Sequence, residues 1–488
     1  MAKKKGVIAQ SLDNSMKEAG AASVMSGVGD SFVSPFAIAM NANPLQISLL
    51  SSIANLLAPW FQIHANNLMK TRSRKLIVTK AVLIHALAWI PFILIPFIFK
   101  GDLLRTWSVV VFYAILATIA GFAGPVWNSW MGDLVKEEKR GAYFSKRTKI
   151  ASLVILITSL FAAWFLNKAK ITDKSFLGVE YVLAAFSILF FIAFIARLVS
   201  RYYLTRQYEP RFRYDPKSYF SIKDFMKRLR DSNLGIYVLY GSILRISVNI
   251  AGPFFSIYML RELGFSYPEY IAMTIASSLA TIAVLPLWGR LTDRYGSVKV
   301  MIISGIMLSF IPILWVFSTN WYYLLFVNLF GGASWAGFNL GGSNFIYDVV
   351  PRKKRSFAFT YNNIIVGFGV FVGATTGGLI ATYIHIENVF IFLFFLSGFF
   401  RLATTLFFVF KLREERNVEE KPVIEIFSKD VLGNIFVHVS NLIPRKQAIK
   451  DALNVNKIKV DEKRENLKKK ILTFNRKYSG KKEKKFKI

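Results

Sequence analysis

An aspartate and an arginine, each set inside a long apolar run, are the residues of this sequence best placed to do chemistry: Asp30 and Arg245. A charge held within a hydrocarbon layer costs roughly several kcal/mol unless it is paired or faces water, so such residues mark pathways and coupling sites. A carboxylate there can take up and release a proton, and movement relative to an arginine could tie that exchange to a change of shape. The plainer reading is a static ion pair between Asp30 and Arg245 that joins two parts of the chain. Around them, small and polar residues recur at steps of three and four, the spacing of one helix face. One set is Gly20, Ser23, Gly27, Asp30 and Ser34; a second is Gly241, Arg245, Asn249 and Gly252. A third is Asn328, Gly332, Trp335, Asn339 and Gly342, and a fourth is Gly121, Gly124, Asn128 and Met131 beside Trp127 and Trp130. Asn128, Asn249, Asn339 and Asn344, with Trp127 and Trp335, offer hydrogen-bonding groups and flat aromatic faces. That mixture suits a polar, uncharged solute such as a sugar, and equally an amphipathic compound.

The elements that carry these residues are membrane helices. The chain has 488 residues, 54% of them hydrophobic, with 45 Phe and no Cys, which excludes disulfide and thiol chemistry. Its apolar runs are about 20 residues or longer and lack the alternation of barrel strands, so they read as spanning helices. Twelve are expected, at about 18–40, 44–65, 76–99, 106–131, 149–167, 177–200, 233–260, 267–288, 299–318, 321–347, 357–383 and 387–411. The fold class is therefore an all-α polytopic membrane protein. The net charge of +33 gathers in alternate loops, which by the positive-inside rule places both termini in the cytoplasm; Lys168, Lys170 and Lys174 are the main exception on the other side. Residues 1–17 form a cytoplasmic segment, 18–200 a first bundle, 201–232 a basic linker, 233–411 a second bundle and 412–488 a basic tail. From Lys411 onward the chain holds 22 Lys and Arg against 11 Asp and Glu, so this tail is expected near anionic inner-leaflet lipids, either solvated or with Val431 to Ile443 lying on the leaflet. Nucleic acid is not an expected partner, since aromatic interleaving is lacking. The four histidines share no ligand spacing and no phosphate-binding glycine loop occurs, so neither metal nor cofactor is expected and energy must come from a gradient.

Two loop patterns organise the bundles. Asp133 to Arg140 reads D-L-V-K-E-E-K-R and Asp348 to Arg355 reads D-V-V-P-R-K-K-R, each at the basic end of a span, which points to an internal duplication. Between two other spans lies G-R-L-T-D-R-Y-G-S-V-K, Gly289 to Lys299. Gly289 can allow close helix approach, Gly296 can take positive φ, and Asp293 can pair with a cation or a helix N-terminus. This stretch resembles the signature loop of the major facilitator superfamily, with Gly289, Leu291, Asp293, Arg294, Gly296 and Lys299 filling its positions. The resemblance implies two pseudo-symmetric six-helix bundles, a central cavity lined by the first, fourth, seventh and tenth spans, and transport by alternating access of a small solute. It implies a carrier rather than an enzyme; the chain is expected to work as a monomer in the plasma membrane, with protons as a coupling partner through Asp30, chosen for its place inside a span. The loop of the first half, N-N-L-M-K-T-R-S-R-K from Asn66, keeps Leu68 and Lys75 but has Lys70 where the family has an acid. The fifth span, Ile150 to Leu166, lacks the glycine and proline of family antiporters, which weighs against efflux of amphipathic compounds, the alternative function. A non-transporting receptor or scaffold is the third alternative.

Overall fold

A computed structural model describes residues 2–69, 71–135, 139–172, 174–210, 222–351, 354–427 and 430. Val431 to Ile443, the tail beyond them, residues 211–221 of the linker and Lys70 lie outside the described residues. The first half begins with α1 (Ala2–Val28), a 3-10 turn (Asp30–Phe32) and α2 (Val33–Ala39), followed by α3 (Pro44–Leu68), α4 (Arg74–Leu87), α5 (Ile90–Ile98), α6 (Asp102–Leu134) and α7 (Arg140–Ile171). A two-stranded antiparallel hairpin, β1 (Ser175–Phe176) and β2 (Val179–Glu180), leads into α8 (Tyr181–Thr205). Positive φ at Leu177 and Gly178 makes its two-residue turn. After α9 (Ile222–Lys227) the second half comprises α10 (Asn233–Asn249), α11 (Phe254–Ile257), a π turn (Tyr258–Glu262), α12 (Tyr267–Tyr295), α13 (Ser297–Leu314), α14 (Trp321–Val349), α15 (Arg355–Tyr383) and α16 (Val389–Val409). The chain divides into two compact units, Met1–Glu420 and Lys421–Ile488; the described part of the second holds α17 (Val423–Glu425).

Helix starts follow from local sequence. Ser73, Ser232 and Asn320 accept backbone N–H bonds at the heads of α4, α10 and α14, and Ser266 with Glu269 forms a capping box on α12. Among the described residues nine helical stretches are long and apolar enough to cross a membrane. The other three expected spans, carried by α1 with α2, by α3 and by α14, are helical too but richer in small and polar residues. The basic first residues do not precede the first helix; they are its opening turns, since α1 starts at Ala2.

Gly373 and its neighbours on α15 allow two close helix approaches at once. A Cβ at Gly369 or Gly373 would meet the carbonyls of Ser242 or Ile246 on α10, one at Gly377 that of Ile250 just beyond its end, and one at Gly367 or Gly378 would meet Asn55 or Ser48 on α3. The α3–α15 contact joins the two halves, as does α7 against α12. On the sparsely charged side Leu45 N–H donates to Thr382 Oγ1 at 3.1 Å, Arg261 Nη2 donates to Ala42 O at 3.0 Å, and Phe186 meets Tyr267 edge-on with centroids 5.7 Å apart.

Candidate functional site

Asp30 sits where the first span breaks. α1 ends at Val28, Gly29 N–H bonds back to Met25 O at 2.8 Å, and a Cβ on Gly29 would strike the Trp89 ring. The chain restarts as α2 only after the 3-10 turn, so the stripe from Gly20 to Ser34, read on a straight helix, is not one continuous face. Gly27 packs on Thr158 of α7, whereas a Cβ at Gly20 would meet nothing. Asp30 is exposed and accepts from Ser26 Oγ at 2.9 Å. The cation whose charge reaches it is Arg197 of α8, and Tyr113 of α6 is also near.

Arg245 lies on α10 with its guanidinium 4.4 Å above the Trp335 ring and Nη2 donating to Asn339 Oδ1 at 3.4 Å. A cation over an indole face is attracted by the ring quadrupole, so the arginine is held by an aromatic and an amide rather than by an acid. No ion pair joins Asp30 to Arg245 among the described residues, so the static pairing does not occur here. Asn249 spends its amide on Arg245 O at 2.8 Å, within the same helix. Asn339 and Asn128 are exposed, and Asn344 is half-buried. Trp127 is not open to a solute on both faces, because Arg147 stacks on it at 4.3 Å.

Sequence reasoning passed over several charges. Glu18, 4% exposed, accepts from Arg147 Nη2 at 2.6 Å and from Ser200 Oγ at 3.1 Å, and Arg197 Nη1 donates to that same Ser200 Oγ at 3.3 Å. Arg401 of α16, 2% exposed, donates to Ser397 Oγ, Leu308 O and Val248 O at 3.0, 2.9 and 3.2 Å. Arg401 lies well inside its apolar run, so the rule that singled out Asp30 and Arg245 would also have found it, whereas Arg197 falls near the end of the span drawn at 177–200.

At the basic ends of the helices the duplicated elements have matching geometry. Arg140 donates Nε to Val135 O and Nη2 to Gly132 O; Arg355 donates Nε to Val350 O and Nη2 to Tyr347 O. Each arginine thus folds back over carbonyls that its preceding helix leaves unsatisfied. Asp133 accepts from buried Arg74 at 2.6 Å, and Asp348 from Ser297 Oγ at 3.2 Å. The Gly289–Lys299 stretch, expected as a loop, is the end of α12 and the start of α13 joined at Gly296 alone, whose φ of 91° turns the chain; Leu291 is buried. Gly289 has open space around it, which corrects the expectation of a close approach there. Asp293 is exposed; the N-terminus of α13 is met instead by Glu414, whose Oε2 accepts from Val298 N at 3.0 Å. Arg294 pairs with Glu419, and Lys299 Nζ donates to Glu419 O at 3.0 Å, so the chain just after α16 straps this stretch.

A family model described as Major Facilitator Superfamily matches residues 237–456. The multi-drug resistance efflux pump PmrA of Streptococcus pneumoniae is 29% identical over 189 residues, 37% of this chain and 46% of that protein. The quinolone resistance protein NorA of Staphylococcus aureus is 26% identical over 155 residues, 31% of this chain and 40% of that protein. These matches span less than half the length of either relative. Among solved structures, a D-xylose–proton symporter superposes with a TM-score of 0.60 at 15% identity, covering 84% of this chain and 98% of the other. A bacterial homologue of the iron transporter ferroportin, in an inward-facing state, superposes with a TM-score of 0.61 at 12% identity, covering 83% and 98%. Fold, signature stretch and family model point the same way: this chain is an integral membrane protein similar to the major facilitator superfamily, whose model matches its residues 237–456.

Proposed function

We propose that this chain is a secondary transporter that moves a small polar solute across the membrane by alternating access, with Asp30 as the group that exchanges protons. The observation that carries the reading is the accessibility of Asp30 and Asn339, both midway along spans, in a body whose halves are bonded together toward the sparsely charged side. Under the positive-inside reading that side is external and the basic side, with both termini, is cytoplasmic, so the central polar residues face inward. Asp30 stands at a helix break, where a small rotation of α1 against α2 changes its distance to Arg197. Arg245, Trp335 and Asn339 form the solute-facing surface of the second half. The protein would work in the plasma membrane as a monomer.

A second reading, efflux of amphipathic compounds, is favoured by PmrA and NorA and by a cavity of about 370 Å³ between α7 and α12. Ser31, beside Asp30, lines it with Ser152, Ser159, Thr274 and Ser278 among aliphatic side chains, as a lateral entry for amphiphiles would require.

Proteoliposomes carrying a pH-sensitive dye distinguish the two. Internal acidification driven by an added sugar or other polar solute supports uptake with protons, and proton movement opposite to an amphiphile supports efflux. No solute-dependent flux from either side, in vesicles whose protein is folded, would remove the transporter reading.

A further inference from the structure

Lys168, Lys170 and Lys174 break the charge asymmetry of the chain, lying on the side otherwise poor in cations. The structure puts two of the three around one cavity of about 470 Å³: Lys170 near the end of α7 and Lys174 just ahead of β1, with Arg261 of the π turn opposite. Asn41, Glu180 and Tyr181 complete its polar lining, and Tyr267, 6% exposed, lies at its base with its ring 5.9 Å from Lys170 Nζ. The lining comes from both halves, α2, α7 and α8 on one side and the π turn and α12 on the other. Arg261 crosses the seam with one bond, to Ala42 O, which leaves most of its five donors uncommitted. Among the described residues no ion pair neutralises Lys170, Lys174 or Arg261; Glu180 is the one carboxylate in the lining, and Glu262 follows Arg261 outside it.

We propose that this seam cavity binds a phosphate-bearing anion, and that the bound anion clamps the two halves together on this side. Three cations in one concavity focus a positive potential, and phosphate oxygens accept strong charge-assisted bonds from Arg and Lys. The cavity exceeds a bare phosphate and leaves room for a glycerol-sized group against the tyrosine rings. Because Lys170 and Lys174 belong to one half and Arg261 to the other, the anion meets all three only when the halves are closed here, and so favours that state. Two sources share this chemistry: a soluble phosphate ester, or the headgroup of an anionic phospholipid. Phe176 and Leu177, 52% and 79% exposed at the tip of the adjacent hairpin, would touch interfacial lipid. The binding step does not depend on the transport reading, and its test is separate from flux.

The full chain in detergent is titrated calorimetrically with inorganic phosphate, glycerol 1-phosphate and dioctanoyl phosphatidylglycerol. Since the chain has no cysteine, Lys100→Cys with Thr319→Cys takes spin labels on one site in each half, and their separation reports closure. Saturable binding of at least one probe is expected, with a shift to the shorter separation. Substituting Lys170→Gln, Lys174→Gln and Arg261→Gln together weakens binding by about tenfold or more, as loss of charge-assisted bonds requires. Lys168→Gln, outside the lining, leaves it unchanged. Glu180→Gln removes the repelling carboxylate and tightens binding, a gain that misfolding cannot imitate. Binding of glycerol 1-phosphate assigns a soluble ester and binding of the lipid alone assigns a headgroup, either one sustaining the proposal. It is overturned if no probe binds, if the triple substitution or Glu180→Gln changes nothing, or if binding leaves the label separation unmoved.

Discussion

Arg74 places its guanidinium 2.6 Å from Asp133 while none of its own side chain is exposed. The same guanidinium donates to Ser129 O at 2.9 Å and Pro210 O at 3.2 Å, and Glu209 Oε1 accepts from its backbone N–H at 2.7 Å. One buried cation therefore fastens α4, α6 and the segment that follows α8. In the second half the N–H of Val298 donates to Glu414, and Asp348 is bonded among the described residues to the hydroxyl of Ser297 rather than to a cation. In both halves, then, the helix start is met by a glutamate distant in sequence, Glu209 in the first and Glu414 in the second.

Removing one member of a buried pair costs about 3–5 kcal/mol. Asp133 is 47% exposed, so water offsets part of that loss, and Asp133→Asn should destabilise the protein by about 1–3 kcal/mol. Asp348→Asn should stay within about 0.5 kcal/mol. Thermal unfolding of the two variants in one detergent checks this; equal shifts would mean that burial of Arg74 confers no difference between the halves.

Gly373→Ala forces a methyl group into the Ile246 carbonyl and should cost about 1–3 kcal/mol, with lower folded yield. Gly289→Ala meets only open space within α12 and should be neutral or stabilising by about 0.5–1 kcal/mol. Size-exclusion profiles and melting midpoints measure both. A severe defect at Gly289 would restore a packing role for it.

A chain ending at Glu420 retains Glu414 and Glu419 and should keep the Gly289–Lys299 stretch protected from hydrogen exchange. A chain ending at Lys411 loses both acids, and amides around Gly296 and Val298 should exchange faster. Equal protection in the two truncations would show that the strap does not hold this stretch.

Asp30→Asn keeps shape and the Ser26 contact but cannot titrate. In proteoliposomes it should abolish solute-driven pH change while leaving counterflow of labelled solute measurable. Raising external pH should lower uptake by the wild type and leave the variant unaffected, because only the wild type needs a proton. Retained proton movement in the variant would assign coupling elsewhere, with Glu18 on the preceding α1 the next carboxylate.

Long apolar runs made the twelve spans legible, and the repeated D-φ-V-x-x-x-K-R pattern marked two helix ends that Arg140 and Arg355 close in the same way. Such features are local, set by hydropathy and by residues a few positions apart. The need for glycine at position 29 is not legible, because the Trp89 ring that leaves no room for a side chain there is brought by tertiary packing. Nothing near Arg74 in the sequence marks it for burial, because Asp133 and Glu209 lie 59 and 135 residues away. Glu18 fell at the boundary drawn for the first span, where an acid reads as a helix end rather than as a buried anion.

The glycine face of α15 has a mechanical meaning. Interlocked side chains act as gear teeth, and sliding one helix past another then requires them to change rotamer. Where Gly367 and Gly378 lie against α3 across the halves, and Gly369, Gly373 and Gly377 against α10 and the residue just beyond it within one half, α15 presents backbone instead of teeth. It is a smooth surface set between a helix of its own half and one that belongs to the other, with no side chain to interlock at those five positions.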